Sequence, residues 1–237
     1  MASESRYPRS AEFYWQSVVF LVGGQLYQIP RYHFEKSSEI FAAMFTLPAD
    51  TKRAIMDGSD DDHPIELQGV ESKDFECLLR VLLTDARLEN TPLLSEEEFL
   101  SVLRLANMWV MPKVRQIAIY ELKKLALTDV ARVVYGREYA VPDWVISGYR
   151  DLVDRRNAVS EDESQQLGLT TTLQLWQVQM KLVTRMPMGA MGYAYGYRPP
   201  PTPRDVFLNE VFEAEIEDIN RRAAAFGDDV PFPSLLS

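Results

Sequence analysis

Residues 17–48 decide the fold of this chain, and they read SVVFLVGGQLYQIPRYHFEKSSEIFAAMFTLP. The apolar, β-branched run at residues 18–22 predicts a buried strand. Gly23 and Gly24 tolerate the positive φ angles of a two-residue hairpin turn. A return strand should then end at Pro30, because proline has no N–H to donate to a sheet. We therefore predict a β-hairpin here.

Two short helices are expected after the hairpin. Ser37 or Ser38 is suited to cap the second helix, because a serine hydroxyl accepts a hydrogen bond from a backbone N–H of the first turn. Glu39 would lie in that turn, near the positive end of the helix dipole. Four apolar side chains share one face at helical spacing: Ile40, Phe41, Met44 and Phe45.

This order of elements resembles the start of a BTB/POZ domain, whose second helix is commonly written small-Ser-x-x-Phe-x-x-Met-Phe. Ser37, Ser38, Phe41, Met44 and Phe45 match that pattern. The run RYHFEKSSEIF looks most like the BTB proteins abundant in mushroom-forming (basidiomycete) fungi. The resemblance implies a helix-rich α+β fold, with a short β-hairpin and a third strand flanked by helices, followed by an α-helical extension. The alternative is another α+β domain with a hairpin and an amphipathic helix.

Composition excludes several classes of function. The formal net charge is −10 and the pI is about 4.8, which disfavours binding to nucleic acid or to an anionic membrane surface. Cys77 is the only cysteine, so an intrachain disulfide cannot form. We find no membrane-spanning apolar run and no secretory signal at the N-terminus. The expected location is the cytoplasm, the nucleus or both.

The elements that follow fit the order of the resemblance, which covers about residues 15–127. Residues 65–67 alternate as a strand does. Ser72 is expected to cap a helix, residues 95–98 form a capping box that opens another, and Pro112 begins the next. Apolar stripes follow these starts: Phe75, Leu78, Leu79, Leu82 and Leu83; then Phe99, Val102, Leu103, Ala106 and Trp109 or Val110; then Val114, Ile117, Ala118, Leu122 and Leu125.

The rest of the chain shows helical patterns without a strand. Residues 160–163 form a second capping box. Two helices carry apolar stripes at helical spacing: Trp144, Val145, Gly148, Tyr149, Leu152 and Val153, and then Leu173, Trp176, Met180 and Val183. The predicted organisation is a flexible arm over residues 1–12, the BTB/POZ domain over 13–127, the helical extension over 128–184, a Gly/Tyr/Pro-rich linker over 185–204, and a C-terminal helix and tail over 205–237.

Motifs for catalysis or cofactor binding are not found in the sequence. It has no Walker sequence, no Gly-x-Ser-x-Gly and no His-Glu-x-x-His. Two histidines and one cysteine exclude most zinc sites, and the acidic run at residues 57–62 lacks the order of a calcium loop. We therefore predict no cofactor, no metal and no enzymatic activity. A small-molecule enzyme is the remaining alternative, and it would need a convergent polar pocket.

The resemblance implies protein partners. BTB domains pair with a second copy, and an aromatic triplet before the first strand is either the edge of the core or part of such a surface. The residues expected at an oligomer interface are Phe13, Tyr14, Trp15, Arg31 and Tyr32. Dimerising members place an Asp just before the first strand, whereas this chain has Gln16 or Ser17 there. The missing Asp puts the family's standard dimer in doubt, and Arg31 is the candidate for its basic partner.

Some BTB proteins bind a cullin scaffold as substrate adaptors of ubiquitin ligases. Those members often carry an apolar-x-Glu signature after the Met-Phe helix, and the nearest match here is Ile55-Met56-Asp57. These three residues, together with residues 82–88, are the expected cullin-facing positions. The adaptor role is the alternative to an interaction scaffold.

Overall fold

The structure is a computed structural model of the chain, and it describes residues 7–8, 10, 14–46, 57–84, 93–155, 157–185 and 203–227. The chain divides into two compact units, Met1–Lys124 and Leu125–Ser237. The described strands all lie in the first unit, whereas the regular structure described in the second unit is helical.

The described part of the first unit contains three strands, β1 (Ser17–Val22), β2 (Gln25–Pro30) and β3 (Ile65–Glu66). β1 lies between the other two and pairs antiparallel with β2 and parallel with β3. Gly23 and Gly24 have φ angles of 56° and 80°, the geometry for which a tight hairpin turn selects glycine. The predicted hairpin and third strand are therefore confirmed.

Among the described residues of this unit, five helices accompany the sheet: α1 (Arg31–Ser37), α2 (Glu39–Thr46), α3 (Ser72–Leu83), α4 (Glu96–Met108) and α5 (Pro112–Lys124). Phe20 of β1 lies at the centre of their packing. Its ring centroid is 5.0 Å from that of Phe34 in α1 and 5.8 Å from those of Phe41 in α2 and Phe75 in α3. The core of the first unit is thus an aromatic cluster that joins the central strand to three helices.

Ser38, one of the two serines predicted to cap α2, does so. Its hydroxyl accepts a hydrogen bond from the Phe41 N–H at 3.3 Å and donates one to the Trp109 carbonyl. Because Ser38 is buried, both bonds also satisfy a polar group within the core. Phe41 and Phe45 point inward as predicted, whereas Ile40 is exposed.

The prediction that Ser72 caps α3 is wrong. Glu71 occupies the cap position and makes no side-chain cap bond, while the Ser72 hydroxyl donates to the Val22 carbonyl at 2.8 Å. A Cβ atom at Gly23 would lie 2.4 Å from the Ser72 Oγ, so the glycine also makes room for this bond. Ser72 therefore ties the start of α3 to the hairpin turn. At the other end of the helix, Leu83 is exposed instead of joining the predicted stripe.

The second unit contains, in its described part, α6 (Asp129–Glu138), α7 (Pro142–Asp154), α8 (Glu161–Leu167), α9 (Leu169–Arg185) and α10 (Pro203–Ala224). α6 and α7 cross closely at two glycines: a Cβ atom at Gly148 would lie 2.8 Å from the Asp129 carbonyl oxygen, and one at Gly136 would lie 3.0 Å from the Val145 backbone nitrogen. The inward stripe predicted for α7 is confirmed, since all of its members are buried: Trp144, Val145, Gly148, Tyr149, Leu152 and Val153.

The connections α4–α5 and α6–α7 are built alike. Two residues after each first helix ends, a non-glycine residue has a positive φ, Val110 at 48° and Ala140 at 53°. The next residue is buried, and its N–H bonds back five residues, from Met111 to Ala106 and from Val141 to Gly136, both at 2.8 Å. A proline then opens the following helix, where its missing N–H costs nothing. Pro112 begins α5 as predicted.

Both predicted capping boxes are confirmed, at Ser95–Glu98 and Ser160–Glu163. In the second box, Arg155 also donates to both oxygens of Glu163, at 2.8 and 2.7 Å. These bonds, with the Ser160 N–H, lower the pKa of Glu163 to about 2. The first turn of α8 is thus anchored to the end of α7.

The side of α9 that faces the core is not the apolar stripe predicted from its sequence. Leu175 and Val178 are buried in the core of the second unit, whereas the predicted stripe is exposed: Leu173, Trp176, Met180 and Val183. The helix is confirmed, but it is apolar on two sides. Its core side is the one that α7 and α10 cover.

A polar network joins the helices of the second unit, centred on Arg137 of α6. Its guanidinium donates to Glu215 of α10 at 2.6 Å, to the Tyr149 hydroxyl of α7 at 2.6 Å and to the Thr171 hydroxyl of α9 at 2.7 Å. It also donates to the Leu167 carbonyl at the end of α8, at 2.9 Å. The Tyr149 hydroxyl in turn donates to Glu215 at 2.7 Å. Burial, followed by the Glu215 charge, keeps the pKa of Tyr149 above its usual value.

We expect Arg137→Met to destabilise the second unit by about 2 kcal/mol or more, because Glu215, Tyr149 and the Leu167 carbonyl lose their charged donor inside the helix cluster. Urea unfolding at pH 7 measures the effect, and hydrogen exchange of α6 and α7 assigns it to this unit. Arg150→Met is the matched control. Arg150 pairs with Asp205 in an exposed position, so its loss should stay within about 0.5 kcal/mol. Equal effects of the two variants would contradict the assigned role of the network.

Candidate functional site

The segment that precedes β1 lies against the end of β2 and the start of α1. The Arg31 N–H donates to the Gln16 carbonyl at 2.8 Å, and Ser17 pairs with Pro30 across the hairpin. The Gln28 side-chain amide adds a bond to the Ser17 hydroxyl at 3.1 Å. These bonds fix the backbone from which the N-terminal aromatic side chains project.

A shallow groove of about 450 Å³ lies at this junction. It is lined by Tyr14, Trp15, Gln16, Ser17, Gln28, Ile29 and Pro30. We call these residues, together with Tyr32 at the start of α1, the hairpin face. Every one of its side chains is uncharged, which sets it apart in a chain with a net charge of −10.

The candidate interface residues divide between exposed and engaged positions. Trp15 is 59% exposed and Tyr14 55%, and both lie on the hairpin face. Tyr32 is 46% exposed, and its hydroxyl accepts a bond from Lys36 at 3.0 Å. Phe13 lies outside the described residues.

Arg31 is engaged within its own domain. Its guanidinium donates to Glu35 at 2.6 Å and to the Phe45 carbonyl at 2.9 Å, and it lies 4.6 Å from the centre of the Phe45 ring. The side chain therefore links the start of α1 to the end of α2. The sequence suggested a basic residue for an interface. Glu35 lies one helical turn from Arg31, but nothing local indicated the contacts with the Phe45 carbonyl and ring, because Phe45 is 14 residues away.

Asp57 lies on the other edge of the sheet. The Val19 N–H donates to the Gly58 carbonyl at 2.9 Å, and the Leu67 N–H donates to the Leu21 carbonyl at 3.0 Å. This turn therefore adjoins the edge of β1 that also pairs with β3, away from β2. Gly58 has a φ of 82°, and a Cβ atom there would lie 2.7 Å from the Val18 side chain, so the turn seats directly on the strand.

The rest of that turn is acidic and exposed. His63 bonds to Asp60 at 2.7 Å, and this bond lowers the pKa of Asp60. Asp57 itself is exposed. Ile55 and Met56 lie outside the described residues, as does most of the second predicted region, of which residues 82–84 at the end of α3 are described.

The described residues show no group of three or more His, Cys, Asp or Glu side chains placed to hold a metal ion. Cys77 is buried in α3, and burial raises the pKa of its thiol, which disfavours the nucleophilic thiolate. Among the helices of the described ranges, none has the length and apolar character needed to cross a membrane.

Comparison with protein families identifies the domain that carries this site. Residues 10–126 match the model of the BTB/POZ domain. The chain therefore contains a BTB/POZ domain, a general protein-interaction module, in a helix-rich α+β fold that continues into a C-terminal helical extension. No curated protein and no solved structure matches the chain.

We expect Arg31→Met to lower the stability of the first unit by about 1–2 kcal/mol, because Glu35 and the Phe45 carbonyl lose a charged donor. The measurement is urea unfolding at pH 7. Lys36→Met on the same helix is the control, since Lys36 is exposed, and it should change stability by less than about 0.5 kcal/mol. An Arg31→Met variant as stable as the wild type would show that the contacts of Arg31 contribute nothing to the domain.

Proposed function

We propose that this chain is a non-enzymatic interaction scaffold of the cytoplasm or nucleus, and that its BTB/POZ domain pairs with a second copy through the hairpin face. The proposal rests on the exposure of Tyr14, Trp15 and Tyr32. The two backbone segments that bear them are joined by the hydrogen bond from the Arg31 N–H to the Gln16 carbonyl. Large aromatic side chains at the centre of an interface contribute much of its binding free energy.

The bracing of the backbone supports this role. Gln16 and Ser17, directly after the two aromatic residues, are held by a backbone bond from Arg31 and a side-chain bond from Gln28. Such a surface loses little conformational entropy when it binds, because its geometry is set before the encounter.

The lack of charge also favours a second copy as partner. Two molecules of net charge −10 repel each other most where acidic groups face one another. The hairpin face offers no such group. In the proposed pair the apolar and aromatic side chains supply the contact, because Gln16 or Ser17 replaces the aspartate of dimerising members and Arg31 is committed to Glu35 and Phe45.

Analytical ultracentrifugation of Tyr32→Glu and Trp15→Glu tests the proposed pairing. Wild-type protein should form dimers or larger species at micromolar concentration, and each variant should weaken the association by about 100-fold, because it buries an unpaired carboxylate. Tyr120→Glu is the matched control, since Tyr120 of α5 is also 46% exposed, as Tyr32 is, but lies outside the hairpin face. A Trp15→Glu variant with the mass of the wild type would contradict the proposal.

We also propose, as a second candidate, that the chain is a substrate adaptor of a cullin-RING ubiquitin ligase. It is favoured by one observation, the exposed acidic turn that begins at Asp57 on the sheet edge away from β2. A partner on that edge would leave the hairpin face accessible. The helices after residue 128 and the C-terminal tail are the candidates within this sequence for the substrate-binding surface.

The adaptor proposal predicts that a purified cullin N-terminal domain binds the chain and that Asp57→Lys weakens this binding by about tenfold or more, since a reversed charge opposes the partner's surface. Isothermal titration calorimetry measures the affinity. Asp61→Lys, in the same exposed turn, controls for the change in net charge. The absence of binding to any cullin tested, or equal loss in both variants, would contradict the adaptor role assigned to Asp57.

A further inference from the structure

We propose that the outward side of α9 is a second self-association surface, in which the helix pairs with α9 of another copy. The surface consists of Leu169, Leu173, Trp176, Met180 and Val183, and we call it the α9 stripe. These five side chains are between 40% and 70% exposed. They occupy one long face of a helix whose opposite side already belongs to a core.

The spacing of the α9 stripe is that of a coiled-coil seam. Its members are separated by 4, 3, 4 and 3 residues, which is the a/d alternation of a heptad repeat. A helix that only covers a globular core has a broader apolar face with a period of 3.6 residues. Here the core side is supplied separately by Leu175 and Val178. The core of the second unit therefore does not include the α9 stripe. The stripe fits a partner helix with the same repeat.

The flanks of the stripe distinguish α9 from an ordinary solvated helix. The span of the stripe contains one charged residue, Lys181, which is partly buried and paired with Glu210 at 2.9 Å. The exposed neighbours of the stripe are Thr170, Gln177 and Thr184. In α10 of the same unit, by contrast, Glu210, Glu213 and Glu217 are exposed. An exposed helix face without charge is expected at a contact and is costly in water.

The same flanks identify the occupant as a second copy. Positions beside a coiled-coil seam select a partner through complementary charges, and Thr170, Gln177 and Thr184 offer none to an oppositely charged protein. Two α9 helices, however, meet without like-charge repulsion, although each chain carries a net charge of −10. Each also brings the repeat that the other needs, as a two-fold contact requires.

The length of the α9 stripe limits the expected affinity of the contact. Its length from Leu169 to Val183 is about 21 Å at 1.5 Å per residue. One helix pair of this length buries less than the roughly 800 Å² per partner of a standard stable interface. We therefore expect a contact that dissociates on dilution and that is reinforced when another interface already joins the chains. Combined with pairing through the hairpin face, it yields assemblies larger than dimers.

The test separates this inference from the proposed function by removing the hairpin face first. Sedimentation velocity of the full chain carrying Trp15→Glu should still show a concentration-dependent dimer. Adding Leu173→Glu or Val183→Glu should leave a monomer at every concentration up to about 100 μM, a loss of at least about tenfold in affinity. Val206→Glu is the matched control for Val183→Glu: Val206 is also exposed, but on α10, so this change should leave the dimer intact.

Fluorescence gives a second readout. Trp109 and Trp144 are buried, whereas Trp176 is 59% exposed. In Trp15→Phe protein, the emission should shift to shorter wavelength as concentration rises, and Trp176→Phe should abolish the shift.

The following outcomes overturn either the inference or the proposed function. A Trp15→Glu protein that is monomeric at 100 μM, or a dimer that Leu173→Glu leaves unchanged, shows that α9 does not pair with itself. If Leu173→Glu lowers the melting temperature without changing the mass, the stripe is covered within its own chain. If instead Trp15→Glu has the wild-type mass and Leu173→Glu reduces it, the proposed function fails and the α9 contact stands.

Discussion

The first unit depends on the burial of Phe20 among aromatic rings. From the central strand this side chain meets Phe34, Phe41 and Phe75, each on a different helix. Trp109, after α4, extends the cluster, with ring centroids 5.4 Å from Phe41 and 6.1 Å from Phe75. Tilted and edge-on contacts of this kind add to the free energy gained from burial alone. One residue of the hairpin thus fixes the positions of α1, α2 and α3 relative to the sheet.

This arrangement explains why the hairpin is able to present a binding surface. Two strands alone are marginally stable in water, and here the strand between β2 and β3 is held by the aromatic cluster. Ser72 adds a bond from α3 to the Val22 carbonyl near the turn, and Arg31 ties α1 to α2. The exposed Tyr14 and Trp15 therefore extend from a firmly held element.

The second unit is held together in a different way. Its helices share an apolar core, but they also converge on the single guanidinium of Arg137, which reaches α7, α9, α10 and the end of α8. Tyr149 connects the two modes: its hydroxyl joins the network, and its ring stacks on Phe212 of α10 at 4.0 Å. Such directional bonds determine which helix faces meet. Apolar burial alone does not determine this, because a helix such as α9 has two apolar sides.

Local signals in the sequence predicted much of the fold. Gly23-Gly24, Ser38 and the two capping boxes act through neighbours within a few residues, and their roles were readable for that reason. Polar contacts that depend on helix packing were not: Arg115 is fully buried and donates to Asn107 at 2.6 Å, and no local pattern indicates that an arginine at this point of α5 is buried. The side of α9 that faces the core was also undetermined, because periodicity gives a helix's apolar stripes but not which one a neighbour covers.

For the candidate site, the sequence drew attention to Tyr14, Trp15 and Tyr32. In the structure Tyr14 and Trp15 line the groove beside the end of β2, and Tyr32 is exposed at the start of α1. The sequence could not separate them from Arg31, because the bond from Arg31 to the Phe45 carbonyl depends on how α1 and α2 pack. Gly58 was overlooked as well. Its need for a positive φ and for space against Val18 becomes visible only when the turn is seated on β1.

Hydroxyl-radical footprinting of the wild-type protein at low and high concentration shows directly whether the BTB/POZ domain assembles through the hairpin face. The buried Trp109 and Trp144 serve as internal references within the same sample. We expect the oxidation of Trp15 and Tyr32 to fall as concentration rises, while that of the exposed Tyr120 does not change. Equal oxidation of Trp15 and Tyr32 at both concentrations, in a sample shown to be associated at the higher one, would contradict assembly through the hairpin face.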